Sequence, residues 1–158
     1  MSSAVLDFQG FQLSPESFIV KELEFYDIEN GYHGRWSFQP PHAWEELPPK
    51  KKSTYSWVIR NIHGMSWTSG DLPYTALRSI LTTLFAVHKT LYVKGLQKTK
   101  FLQKLTDFSI VNLDEMDCPK LPMPKVSCPH HTTDEFSCAL SKATAYAQYV
   151  ASIKDVPL

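Results

Sequence analysis

The chain has 158 residues, 43% of them hydrophobic and 20% charged, a composition that suits one domain (1–158) with a sizeable core and excludes a largely disordered chain. Lys plus Arg and Asp plus Glu balance at 16 each, so no bulk positive field marks a nucleic-acid binder, and any such activity has to come from a local patch. Residues 1–10 hold no basic stretch followed by an apolar run, and no segment reaches membrane-spanning length, which points to an intracellular protein, cytoplasmic or nuclear, without membrane contact.

Ala4 to Phe8 is a short apolar run that predicts a first strand, and Ser17 to Ile28, where β-branched and aromatic residues alternate with Lys21, Glu22 and Glu24, predicts a second. Asn30-Gly31 signals a tight hairpin, so Tyr32 to Phe38 is expected to return antiparallel to the second strand. Pro40-Pro41 and Pro48-Pro49 bracket the next stretch and Lys50-Lys51-Lys52 follows, which reads as a surface loop. Leu77, Ile80, Leu81 and Leu84 recur at helical spacing within Leu72 to Val87, with Asp71 as the expected N-cap. A strand at Thr90 to Val93, a helix at Leu96 to Leu105 and a strand at Ser109 to Leu113 then suggest a parallel crossover. Four prolines and two cysteines make 117–133 irregular, and Thr133-Asp134 opens a closing helix to about Ile153. Three antiparallel strands followed by parallel ones, flanked by helices, make an α/β mixed sheet.

That element order resembles the RNase H-like fold of the DEDDh 3′–5′ exonucleases. Asp7-Phe8-Gln9 stands where that family has Asp-x-Glu, and Asn61-Ile62-His63-Gly64-Met65-Ser66 where it has an isoleucine-x-Gly-Ile phrase. Leu91-Tyr92-Val93, Lys98 and Phe101-Leu102 lie over its second motif, and Ala139-Leu140-Ser141-Lys142-Ala143 over its last. The resemblance implies an active site of clustered acids holding two divalent cations about 4 Å apart. This sequence keeps Asp7 but has Gln9, Lys98 and Lys142 at the other acidic positions and Ser137 at the general-base His. Ammonium groups there would repel the cations, so the expectation is a degenerate nuclease without catalysis, with residual cleavage through Asp7 as an alternative.

Three cysteines, Cys118, Cys128 and Cys138, cannot all pair within the chain and read as reduced thiols or metal ligands. Cys128-Pro129-His130-His131 with Cys138 has a spacing that suits tetrahedral zinc, one ligand short. The pattern resembles the domain of Maelstrom, a protein of the animal small-RNA pathway of transposon silencing, which pairs an RNase H-like fold lacking the exonuclease acids with a Glu-Cys-His-Cys zinc site. The resemblance implies a structural zinc on Glu22, Cys128, His131 and Cys138. Glu24, His130 and Cys118 are rivals for single positions.

Lys94, Lys98, Lys100 and Lys104 could gather near the vanished acids and, with Lys142, hold the phosphates of single-stranded RNA. Lys50-Lys51-Lys52 reads first as solvated surface, with a nuclear-import or phosphate patch as the alternative. Trp36, Trp44, Trp57 and Trp67, with Tyr32 and Tyr55, make a Trp-rich middle that either packs inward, stacks bases or anchors a protein partner. The expected function is an inactive, zinc-stabilised module binding single-stranded RNA, or an adaptor in transposon silencing or derived from a mobile element. A pure protein-interaction domain is the second reading.

Overall fold

The structure, a computed structural model, describes residues 2–14, 17–106, 109–116 and 139–154. Strands β1 (Ser2–Ser14), β2 (Ser17–Asp27) and β3 (His33–Ser37) come first, followed by helices α1 (Pro49–Val58) and α2 (Ala76–Val87). Strand β4 (His88–Val93), helix α3 (Leu96–Gln103), strand β5 (Ile110–Asn112) and helix α4 (Ala139–Lys154) complete them. The five strands form one mixed sheet in the order β3-β2-β1-β4-β5. β2 runs antiparallel to both β1 and β3, whereas β4 runs parallel to both β1 and β5.

Side chains alternate across a strand, so β1 presents Ala4, Leu6 and Phe8 to one face and Val5, Asp7 and Gln9 to the other. The first set is completely buried against Leu77, Leu81, Leu84 and Phe85 of α2 and Leu102 of α3. On the second face, Val5 packs with Ala143, Tyr146, Ala147 and Val150 of α4, while Phe11 packs with Ile19, Tyr55 and Trp67 under α1. Asp7 and Gln9 thus lie between two apolar clusters.

The Asn30-Gly31 turn forms as expected. Asp27 Oδ1 accepts the Asn30 backbone N–H at 2.9 Å, and Gly31 takes the left-handed φ of 76° that the turn needs. The expected first strand proves too short. β1 continues to Ser14 through a bulge at which Gln9 faces Glu22 and Gly10 faces Val20, leaving Lys21 without a partner on β1. A Cβ on Gly10 would stand 1.9 Å from the Ile19 carbonyl oxygen, so only glycine admits this approach.

Two other expectations need correction. Lys50-Lys51-Lys52 is not on a loop: Pro48 caps α1 and Pro49 is its first residue, where a missing N–H costs nothing. Asp71 does not cap the second helix. The backbone of Leu72 is held in a bridge to Phe38 by bonds Leu72 N to Ser37 O at 3.0 Å and Gln39 N to Leu72 O at 2.7 Å, so α2 starts only at Ala76. The irregular stretch 117–133 and the first turn expected for the closing helix lie outside the described residues.

Candidate functional site

β1 pairs with β4 only as far as Val5 opposite Tyr92, which leaves the edge of β1 at Asp7 open on that side. α3 begins at that edge, because β4 ends at Val93 and Gly95 turns the chain with φ 113°. Lys98, in the first turn of α3, therefore reaches β1. Its Nζ lies 3.0 Å from Asp7 Oδ1 and 5.2 Å from the centre of the Phe8 ring. Gln9 Nε2 donates to the other oxygen, Asp7 Oδ2, at 3.2 Å. Asp7 is 1% exposed, so both its oxygens are engaged in a buried setting, one by an ammonium and one by a neutral amide.

Across the strand pair, Asp7 faces Glu24 and Gln9 faces Glu22. Both glutamates are completely buried on the face that α4 covers. Burial pushes the Glu24 carboxyl up to about 8, against the pull of Arg35 and with smaller pushes from Glu22 and Asp7. It is therefore largely protonated at neutral pH. Neither of its oxygens has a hydrogen-bond partner among the described residues, and His33 Nδ1 stands 3.4 Å from Oε1.

These groups do not suit a pair of divalent cations. Among the described residues no three His, Cys, Asp or Glu side chains converge on a point where one metal ion could sit. The groups nearest Asp7 are a cation and an amide where two more carboxylates would be required.

The remaining expected residues divide. Lys94 is paired with Asp114. Lys100 is exposed and stands two positions beyond Lys98 on α3, about 200° around the helix, and Lys104 Nζ reaches Ser17 Oγ at 3.4 Å. These lysines thus do not share one face, because Lys98 alone turns in to Asp7. Lys142 is the fourth residue of α4. Ser137, Cys118, Cys128, His130, His131 and Cys138 lie outside the described residues. Of the aromatic residues, Tyr55 and Trp67 are core, Trp44 packs edge-on to Trp67 at 5.8 Å, and Trp36 stacks on Phe25 at 5.7 Å. Trp57 and Tyr32 remain outward, 53% and 71% exposed.

Two polar residues were not singled out in the sequence. His63 ends a π-helical turn, Ile59–His63, and is completely buried. Its Nδ1 accepts the Met65 N–H at 3.0 Å, so Nε2 carries the proton and donates to Gly10 O at 3.0 Å, tying that turn to the bulge. Lys21 is buried at the unpaired position of the bulge, where its Nζ donates to Phe38 O at 2.6 Å, to Trp67 O at 2.8 Å and to Ser69 O. Burial lowers its ammonium to about 8. Polar neighbours, Glu22 and Glu24 beside Lys21 and Arg60 and Asn61 before His63, left neither standing out in the sequence.

No family model and no curated protein matches the chain. Two solved structures of E. coli Exonuclease I do match in shape, one in complex with a 5cy-dA13 oligonucleotide and one with a dT13 oligonucleotide. Their TM-scores are 0.61 and 0.62, each at 14% identity. The fold is RNase H-like. The matches cover 97% and 98% of this chain but only 40% and 41% of the others, so it spans about two fifths of their length. At that identity the likeness carries the RNase H-like fold alone, and the resemblance to Maelstrom rests on the residues quoted for it. Among the described residues no helix is long and apolar enough to cross a membrane.

Proposed function

We propose that the chain is a catalytically inactive RNase H-like module that binds single-stranded nucleic acid, RNA in particular. In that role it serves as an adaptor in small-RNA transposon silencing or in a function derived from a mobile element. The observation that carries the reading is the closure of Asp7 by Lys98 at 3.0 Å and Gln9 at 3.2 Å. A cationic side chain seated on the acid replaces the attraction for metal ions by repulsion, yet leaves a site compatible with phosphates. Both Exonuclease I structures are complexes with oligonucleotides, which supports nucleic acid as the ligand class. Fluorescence anisotropy with labelled oligo(U) and oligo(dT) at several salt concentrations tests it. Affinity that falls with salt is expected, and affinity absent at all salts refutes it.

The same reading includes a structural zinc held by Cys128, His131, Cys138 and a glutamate of β2. The fit lies in the donor set, two thiols, an imidazole and a carboxylate. Cys138 immediately precedes α4, and α4 covers the face on which Glu22 and Glu24 are buried. Glu22 is the proposed ligand. Glu24, whose oxygens have no hydrogen-bond partner among the described residues, is the alternative. When bound, zinc would cross-link strand and helix and contribute to folding. Elemental analysis of the purified protein should give one zinc per chain, lost in Cys128→Ser, and Glu22→Gln compared with Glu24→Gln identifies the oxygen ligand.

The protein-interaction reading is weaker, because Trp67 and Tyr55 are spent on the core and Trp44 packs against Trp67. Trp57 is the outward tryptophan left to it.

A further inference from the structure

The neutral total conceals a separation of charge along the chain. Ten of the sixteen Lys and Arg residues, but one of the sixteen Asp and Glu, lie between Leu47 and Thr106. The fold sets six of those cations on or next to two helices that flank the β1–β2 ribbon. At the end of the β1–β2 ribbon, α1 packs on one face through Tyr55, whose hydroxyl donates to Gln12 O at 3.2 Å, and Lys51 Nζ donates to Leu13 O at 2.9 Å. α3 packs on the other face through Phe101, 5.6 Å from Phe8 and 6.3 Å from Phe18. Gln97 accepts a bond from Gln12 at 2.7 Å, and Lys104 reaches Ser17 at 3.4 Å. The two helices thus flank the ribbon with Lys50, Lys51 and Lys52 on one side and Lys98, Lys100 and Lys104 on the other, and neither helix contains an acid.

The acids nearest α1 in sequence are Glu45 and Glu46, and Glu46 accepts the Ala43 N–H at 2.9 Å. Trp57 adds a second kind of contact. It is 53% exposed and lies seven residues after the exposed Lys50 of the same helix, hence on the same face. An outward aromatic ring on the face of an exposed ammonium group suits a base and a phosphate of an unpaired strand.

We propose that this ribbon end is a docking track for single-stranded nucleic acid, in which Lys50, Lys52 and Lys100 contact phosphates and Trp57 stacks on a base. The proposal rests on the reading of the chain as a nucleic-acid-binding module and names where the strand runs beyond Lys98.

The test uses the whole chain with fluorescein-labelled oligo(U) and oligo(dT). Each phosphate contact contributes about 0.7 to the slope of log affinity against log salt for single strands. K50Q/K52Q/K100Q, which spares the Lys51 contact to Leu13, should lower that slope by about 2 and weaken binding about a hundredfold at roughly 0.1 M salt. The control R78Q/K89Q removes two exposed cations of the same segment that lie on α2 and β4, and should leave both unchanged. Intrinsic tryptophan fluorescence should be quenched by oligo(U), and the quench should vanish in Trp57→Phe while binding persists. If the wild type binds with an unchanged slope in K50Q/K52Q/K100Q, or if R78Q/K89Q lowers it as much, the track is overturned and nucleic-acid binding stands. If the wild type shows no salt-sensitive binding, both fall.

Discussion

Replacing Lys98 by Met keeps the length and apolar packing of the side chain over Phe8 while deleting the ammonium. Asp7 is 1% exposed and the Lys98 side chain 19%, so the carboxylate cannot turn to water when its partner goes. At 3.0 Å and an effective dielectric near 20, the attraction is about 5 kcal/mol. Breaking a buried pair from one side costs about 3–5 kcal/mol, and the partial exposure of Lys98 places the expected loss near 3 kcal/mol. Asp7→Asn alone should cost less, about 1–2 kcal/mol, because Lys98 can extend into solvent. The double variant D7N/K98M leaves no buried charge at this point and should be more stable than K98M, with a coupling of about 2–3 kcal/mol. Urea denaturation followed by circular dichroism measures all four proteins, and repeating it in 1 M salt should change the coupling little, since buried pairs are poorly screened. A K98M loss below about 0.5 kcal/mol, or additive single variants, would refute the reasoning.

Three further outcomes are expected. Lys21→Met strips the donor from three carbonyls, of which those of Phe38 and Trp67 take up buried bonds. It should destabilise the fold by about 3 kcal/mol or more, and a melting temperature equal to wild type would contradict the strut assigned to Lys21. Gly10→Ala forces a Cβ to within 1.9 Å of Ile19 O and should lower stability by more than about 2 kcal/mol, read as a shift in the urea midpoint. Cys128→Ser, or prolonged dialysis against a strong chelator, should release zinc and lower the melting temperature together; zinc loss with no thermal shift would argue against a structural ion.

The sheet was legible in the sequence because alternation and the Asn30-Gly31 turn each carry their own physical signal. Strand β1 was not fully legible. Gln9, Gly10 and Gln12 break the apolar pattern, and the bulge that accommodates them depends on the approach of β2, which no local window contains. α1 was hidden by its own charge: three lysines and two preceding prolines look like loop, yet its buried residue is Tyr55, with Val58 and Ile59 beyond. In the site, Glu22 and Glu24 were placed on one face by simple alternation, and the fold resemblance put Lys98 among the former acidic positions, while its bond to Asp7 emerged only from the structure. Neither the locked tautomer of His63 nor the bonds of Lys21 could be read, because their partners are backbone atoms distant in sequence.

The central claim is that Lys98 on Asp7 leaves a fold that holds nucleic acid without cutting it. One measurement tests it most directly: end-labelled oligo(U) and oligo(dT) incubated with the purified chain in magnesium or manganese, with binding and product length read from the same samples. The account predicts salt-sensitive binding and a substrate of unchanged length. Shortened products that disappear in Asp7→Asn would contradict it.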